Sequence, residues 1–200
     1  MSLPQIIGEQ YKKLPVLVDV NTCSGNTYIV TGGNTGLGLE TARHLVHCQA
    51  ARVIISSRNT ASGEKAKADI ERTTSRKNVV EVWQLDLASF ASTKAFAKKA
   101  IMGLERIDGL VQNAGVMLDK FTLAEGNETC ITVNVISRFL LSALLMPKLQ
   151  ETHQKFGVKP RIVYVGSALA FQARKEVAKG GKTDIFKNLN IAKRADMNQR

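Results

Sequence analysis

Short apolar segments alternate with longer helical patterns along the chain. Five segments have the length and apolar character of strands: TYIVTGG, ARVIISSR, NVVEVWQLDL, RIDGLVQNAGV and PRIVYVGS. Four segments between them have the spacing of helices: LGLETARHLVHC, TASGEKAKADIERTT, SFASTKAFAKKAI and NETCITVNVISRFLLSALLMPKLQET. Strands separated by helices need crossover connections, and both faces of their sheet must be covered. The pattern therefore predicts an α/β fold with a doubly wound parallel sheet and helices on both faces.

The first helical segment carries a stripe of residues at helical spacing. Its members are Leu37, Thr41, Leu45 and Cys48. The sequence predicts that they share one side of the first helix.

Length and composition indicate one domain. With 200 residues and 44% hydrophobic content, the chain can bury a sizeable core. We divide it into an N-terminal leader, residues 1–26, and a nucleotide-binding domain, residues 27–200. The three cysteines, Cys23, Cys48 and Cys130, are widely spaced and lack a C-x-x-C pair, which favours neither a disulfide framework nor a metal site. A reducing cytoplasmic setting is expected.

The charge does not indicate a nucleic-acid partner. The formal net charge is +11, but the charged residues are scattered. The densest group, residues 173–200, has eight basic and three acidic residues, and aromatic side chains do not interleave them in an RNA-binding pattern, which favours a solvated, partly irregular segment. We expect no membrane span, because no apolar run approaches the required length, and the first residues lack the basic-then-apolar order of a signal peptide. The positive net charge still favours the binding of anionic small molecules.

A glycine-rich motif follows the first predicted strand. YIVTGGNTGLGLETA ends the strand at Thr31 and places Gly32, Gly36 and Gly38 before the first helix. Glycine permits a tight turn and lets the backbone approach a pyrophosphate, which meets the free N–H groups of the helix. A turn that uses glycine only for its shape is the alternative, and the position between strand and helix favours dinucleotide binding.

The order T-G-x-x-x-G-x-G, then QNAG, VNVIS and a serine after the last strand resembles the short-chain dehydrogenase/reductase family. The similarity extends from about Thr27 onward, and GLGLETARHL and SALAFQAR resemble the retinol-dehydrogenase-like and fungal members. The resemblance implies a Rossmann-type fold and hydride transfer between a nicotinamide cofactor and a carbonyl or alcohol substrate.

The resemblance also implies the residues that contact the cofactor. It assigns Thr31, Gly32, Gly36, Leu37 and Gly38 to the phosphate turn, Asp86 and Leu87 to the adenine, and Asn113, Ala114 and Gly115 to the ribose. Asp86 is also a candidate cap for the helix that follows it. Gln112 stands where the family usually has an asparagine, which puts the structural hydrogen bonds of that position in question.

The end of the second strand favours NADP over NAD. An NAD enzyme typically places an acidic residue there, whereas an NADP enzyme offers arginine or small polar groups. This chain has Ser56, Ser57 and Arg58 at this position, and the next carboxylate after them is that of Glu64. Ser57 and Arg58 are therefore expected to bind the 2′-phosphate, although a surface arginine beside a serine-rich turn is the alternative.

Two further positions match catalytic residues of the family. Asn134 lies within an apolar helical segment, where an asparagine needs partners if it is buried. The resemblance implies that it supports a proton relay through a water, and a satisfied core amide is the alternative. Ser167 matches the serine that binds the substrate oxygen, and a serine that only ends a strand is the alternative.

The family's tyrosine and lysine are missing from these 200 residues. No Y-x-x-x-K occurs, and none of the 33 residues after Ser167 is tyrosine, histidine or cysteine. ADMNQR, at the end, resembles the residues just before that motif, so we expect the chain to be incomplete at its C-terminal side. Two hypotheses follow. The chain is part of an NADP-dependent oxidoreductase, or it is a non-catalytic dinucleotide-binding or interaction module. Association into a homo-oligomer is left open.

Overall fold

The computed structural model describes residues 15–167 and 185–192, together with residues 8, 11 and 197. The strands of the main sheet are β1 (Thr27–Val30), β2 (Arg52–Ser57), β3 (Val80–Gln84), β4 (Gly109–Gln112) and β7 (Arg161–Tyr164). β5 (Leu123–Ala124) and β6 (Asn127–Glu128) form a small antiparallel hairpin. The basic segment 173–200 and the SALAFQAR phrase lie mostly outside the described residues.

The helices follow the predicted order. They are α1 (Val20–Cys23), α2 (Gly36–His47), α3 (Thr60–Thr74), α4 (Phe90–Gly103), α5 (Thr129–Ile131), α6 (Ser137–Phe156) and α7 (Ile185–Leu189). A π-helical turn, Thr132–Ile136, joins α5 to α6.

The five main strands are parallel and lie in the order β3-β2-β1-β4-β7. β1 is central: Ile29 is opposite Ile54 of β2 on one side and Leu110 of β4 on the other. Because β1 neighbours both β2 and β4, the strand order reverses between β1 and β4. This topology confirms the predicted parallel sheet of Rossmann type.

Alternate residues of the strands enter two separate cores. Ile29 and Ile54 belong to the core that contains Leu141 of α6 and Phe96 of α4, whereas Val30 belongs to the core on the other face. That second core contains the following residues of α2 and α3: Ala42, Leu45, Val46, Ala66 and Ile70. Side chains of a strand alternate between the two faces of a sheet, so an all-apolar strand requires helices on both. The predicted double winding is confirmed.

The expectation that no apolar run is long enough to span a membrane was wrong. The continuous helix Thr129–Phe156 is long and apolar enough to cross a membrane by length and composition, and 50% of its apolar window is buried. Leu141, Leu145 and Leu149 pack into the core beside the sheet, and α6 also buries Arg138 and Lys148. We interpret it as a core helix of the α/β fold.

The end of the predicted leader packs against the domain. Asp19 caps α1 through its side chain, and Cys23 is fully buried in the core beside α2. All three cysteines lie within the described residues and are buried. The proposed domain boundary after residue 26 stays a prediction.

Candidate functional site

A cavity of about 460 Å³ opens at the carboxyl edge of the sheet. It lies where the strand order reverses, the place where open parallel sheets bind ligands. Its lining, in chain order, is Gly32, Asn34, Thr35, Ser56, Ser57, Arg58, Asn59, Ser62, Leu85, Asp86, Leu87, Asn113, Ala114, Gly115, Val116 and Val133. Residues at the ends of four strands therefore meet in one cavity.

The turn from β1 into α2 depends on glycine. Gly32 and Gly36 have φ values of +64° and +55°, in the left-handed region that other residues rarely adopt. A Cβ on Gly36 would meet nothing within 4 Å, whereas a Cβ on Gly38 would lie 2.4 Å from both Asn113 Nδ2 and Gly32 O. The backbone is therefore open at Gly36 and closely packed at Gly38, so the two glycines are needed for different reasons.

The N-terminus of α2 is available to an anion. Thr35, which lines the cavity, is the N-cap residue, and within the described structure its side chain makes no capping hydrogen bond. Asn59 and Ser89, in contrast, cap α3 and α4 through their side chains. The first N–H groups of a helix lack intrahelical acceptors and carry the positive end of its dipole. α2 therefore offers uncapped donors beside the cavity.

Leu37 does not share the buried side of α2. Its side chain is 74% exposed, while Leu45 and Cys48 are buried. Gly38 and Ala42 face the core in its place. The predicted stripe was therefore wrong at its first position, because Gly38 brings the helix too close to β4 for a larger residue on that side.

Thr31 and Asn113 join β1 to β4 at the edge of the cavity. Thr31 is fully buried, and its Oγ1 accepts a hydrogen bond from Ala114 N at 3.0 Å. Asn113 Nδ2 donates to Thr31 O at 3.1 Å and to Gly32 O at 3.2 Å. Thr31 thus connects the end of β1 to Ala114, and the side-chain amide of Asn113 connects the glycine turn to the loop after β4.

Gln112 makes the structural bonds that its position requires. It is fully buried, and its Nε2 donates to Arg138 O at 3.0 Å and to Ser142 Oγ at 3.2 Å. The doubt raised by a glutamine at this position is resolved, because its longer side chain reaches α6.

The end of β2 is polar and carries one cation. Ser56 Oγ accepts from Gly32 N at 3.2 Å, and Ser57 Oγ donates to Asn59 O at 2.8 Å. Arg58 is exposed and lines the cavity. Its guanidinium has no hydrogen bond or ion pair within the described part of the chain. Because Ser57 already donates its hydroxyl hydrogen, Arg58 is the stronger candidate for an anionic group.

Asp86 and Leu87, which follow β3, also line the cavity. Asp86 Oδ1 accepts a hydrogen bond from Ala88 N at 2.9 Å. The side chain that caps α4 belongs to Ser89, which accepts from Ser92 N at 3.2 Å. The expectation that Asp86 caps the helix was therefore wrong, because α4 begins at Phe90 and its N-cap is Ser89, three residues after Asp86.

Asn134 lies in the π-helical turn and forms hydrogen bonds with the loop after β4. Its Oδ1 accepts from Val116 N and its Nδ2 donates to Val116 O, both at 2.8 Å. Its Oδ1 would also lie 3.1 Å from a Cβ on Gly115. Both ends of the amide are thus used in fixing the cavity wall, and a π-helical turn is frequent at functional sites.

Ser167 follows β7 by three residues and is exposed. It leaves the sheet at the same edge as the cavity, although it is not among the residues that line it. The sequence analysis did not identify the following lining residues: Asn34, Thr35, Asn59, Ser62, Leu85, Val116 and Val133. Asn34 Nδ2 donates to Ser62 Oγ at 3.1 Å and so connects the glycine turn with α3. The S-R-N-T-A-S segment, residues 57–62, which leads into the first turn of α3, is a helix-cap signal that could have identified Ser62.

A family model for short chain dehydrogenases matches residues 26–179. The chain is 42% identical to short chain dehydrogenase/reductase dmxR8 of Cryptosporiopsis sp. over 163 residues, or 81% of this chain and 50% of that protein. It is 41% identical to short chain dehydrogenase atnD of Emericella nidulans over 99% of this chain and 62% of that protein. The chain therefore spans about half to three-fifths of the length of these curated relatives.

A solved structure has the same arrangement of helices and strands. It is a metagenomic short-chain oxidoreductase in complex with NADP, 27% identical in sequence, with a TM-score of 0.61 over 72% of this chain and 63% of that one. The family model covers most of the chain, and the curated relatives are fungal, as the resemblance predicted. The chain belongs to the short-chain dehydrogenase/reductase family.

Proposed function

We propose that the chain is the cofactor-binding part of an NADP-dependent oxidoreductase that interconverts a carbonyl and an alcohol. One observation carries the proposal: the cavity has an uncapped helix N-terminus at one side and an unpaired arginine at the end of β2. The two features suit the pyrophosphate and the 2′-phosphate of one molecule.

The cavity fits the phosphates of a dinucleotide. The open backbone at Gly36 leaves room for a pyrophosphate, and the first N–H groups of α2 can donate to its oxygens. Arg58 carries the positive charge nearest the end of β2, and Asp86 is the acidic residue among those that line the cavity. A dianionic phosphate on the ribose accepts hydrogen bonds and needs donors, so Arg58 favours it. NADP complexes of related proteins, such as the metagenomic oxidoreductase, support the same choice.

Ser167 and Asn134 are the candidate catalytic residues of this chain. NADPH, when bound, supplies a hydride for a carbonyl carbon. In our proposal the Ser167 hydroxyl donates a hydrogen bond to the carbonyl oxygen and stabilises the negative charge that develops there. Asn134 holds the loop after β4 through Val116, beside which the reacting groups would meet. The proton that completes the alcohol needs an acid, and neither residue is one at neutral pH.

A non-catalytic binding module is the second candidate function. It is favoured by the absence from the 200 residues of Y-x-x-x-K, the motif that carries the family's proton-transfer tyrosine and its lysine. Both functions require NADPH binding, and turnover separates them. The three widely spaced, buried cysteines favour a reducing, cytoplasmic setting for either.

Reversal of the charge at Arg58 tests the cofactor preference. Loss of a charge-assisted hydrogen bond of about 1.5–3 kcal/mol should make NADPH bind about 10–100-fold more weakly to Arg58→Asp. NADH, which has no 2′-phosphate, should lose less than about threefold. Both dissociation constants can be measured by fluorescence titration.

Lys65→Asp is the matched control. Lys65 is an exposed cation on α3 that does not line the cavity, and the substitution changes the net charge by the same amount. It should therefore report the long-range effect of charge alone. An unchanged ratio of NADPH to NADH affinity in Arg58→Asp would remove the NADP preference.

A further inference from the structure

A cationic side chain is buried where β4 and β7 end. Arg138, in the first turn of α6, is 7% exposed. Within the described residues it forms no ion pair with a carboxylate. Burial lowers the pKa of its guanidinium, and its Nε is buried without a hydrogen-bond partner. A buried charge without a counter-ion is costly, so its placement calls for an explanation.

The guanidinium bridges the ends of two neighbouring strands. One terminal nitrogen of Arg138 donates to Gln112 O and, at 3.0 Å, to Val165 O. Gln112 is the last residue of β4 and is opposite Tyr164, the last residue of β7. Val165 N also donates to Gln112 O at 3.1 Å. Arg138 therefore joins the two strands one residue beyond their last regular pair.

Side-chain contacts surround this bridge on both strands. Gln112 Nε2 donates to the backbone carbonyl of Arg138 and to Ser142 Oγ. Tyr164 OH donates to the same Ser142 Oγ at 2.7 Å, and the Arg138 guanidinium lies 5.4 Å from the centre of the Tyr164 ring. α6 is thus connected to both strand ends through two successive turns of the helix.

Both strands continue from the bridge into the candidate site. β4 leads to Asn113 and Gly115, which line the cavity, and β7 leads to Ser167. Asn134, one helical turn before Arg138, holds the backbone of Val116 in the same loop. Because the regular pairing of the two strands ends at the bridge, a small change there would alter the spacing between the cofactor side of the site and Ser167.

We propose that Arg138 is a positioning residue that sets the spacing between the loop after β4 and the serine after β7. It acts through the backbone carbonyls of Gln112 and Val165 and does not contact substrate or cofactor. The inference rests on the proposed function, in which Ser167 binds the substrate oxygen.

Exchange of single backbone amides tests this role on the 200-residue chain. In Arg138→Met, the Val165 amide should exchange at least about tenfold faster than in the unaltered chain, because the end of β7 separates from β4. The Thr31 amide, which donates to Val111 O on the other edge of β4, should change by less than about twofold. The dissociation constant for NADPH should also change by less than about twofold, since Arg138 does not line the cavity.

Two further variants separate positioning from general stability. Lys148→Met removes another buried cation of α6, which pairs with Glu151 and bridges no strands, and should leave Val165 exchange unchanged. Arg138→Lys keeps the charge but not the planar group, so its Val165 exchange should fall between the unaltered chain and Arg138→Met.

The outcomes distinguish the inference from the proposed function. Equal acceleration at Thr31 and Val165, or unaltered Val165 exchange in a folded Arg138→Met, would overturn the positioning role. If Arg138→Met does not fold, unchanged Val165 exchange in Arg138→Lys would overturn it. Absence of NADPH binding in the unaltered chain would instead contradict the proposed function and leave the exchange result to decide the role of Arg138.

Discussion

Replacing Gly38 by alanine should destabilise the fold and the site together. The new Cβ would lie 2.4 Å from Asn113 Nδ2 and from Gly32 O, whereas ordinary contacts begin near 3.4 Å. Relief of this overlap needs a movement of about 1 Å, and overpacking of this kind costs about 1–3 kcal/mol. The movement would also displace the Asn113 amide from Thr31 O and Gly32 O, at about 0.5–1.5 kcal/mol for each hydrogen bond. The expected loss of unfolding free energy is therefore about 2–6 kcal/mol.

Urea unfolding followed by fluorescence measures this loss. The chain has one tryptophan, Trp83, which is 4% exposed and reports on the core directly. Gly103→Ala is the control: Gly103 ends α4, a Cβ there would meet nothing within 4 Å, and the variant should gain up to about 1 kcal/mol. NADPH should bind Gly38→Ala at least about tenfold more weakly and Gly103→Ala normally. A loss under about 1 kcal/mol in Gly38→Ala, with unaltered NADPH binding, would refute the close-packing argument.

Two other predictions concern titration and turnover. Burial raises the pKa of Tyr28 from 10.0 to about 12. Its contribution to stability should therefore be complete below pH 10 and be lost as the pH rises toward 12. Phenolate absorbance should show a late-titrating tyrosine that Tyr28→Phe lacks, and titration of every tyrosine near 10 would contradict this. Residues 1–200 should neither reduce ketones or aldehydes with NADPH nor oxidise secondary alcohols with NADP⁺, because a positioned acid or base contributes about 10²–10⁴-fold. Turnover that survives Ser167→Ala would show that another residue carries the proton.

The fold could be predicted because its signals are local. Strands of a parallel sheet are buried on both faces, so Val53, Ile54 and Ile55 form a continuous apolar run that stands out from the polar helix after it. The glycine turn was equally visible, since its residues are adjacent in sequence. The hairpin of β5 and β6 was missed because two-residue strands carry too little pattern to detect.

The details of the site depend on contacts between distant segments. The sequence could not show that Gln112 reaches Arg138 and Ser142, because helix α6 comes into place only when the sheet is assembled. The exposure of Leu37 has a similar origin, since it follows from the approach of Gly38 to Asn113. The π-helical turn around Asn134 has no distinct spacing in the sequence. Asn134 in this turn hydrogen-bonds the Val116 backbone, a contact between segments 18 residues apart that appears only in the folded chain.

During synthesis, β1 leaves the ribosome long before its second neighbour. It pairs with β2 after about one helix, but the bond from Thr27 N to Asp108 Oδ2, at the start of β4, spans 81 residues. At about 5–20 residues per second, translation of that interval takes roughly 4–16 s. For this time one edge of the central strand, with Ile29 and Val30, has no partner strand. Until the codons for β4 have been read, this unpaired edge is therefore a place where the nascent chain is open to aggregation.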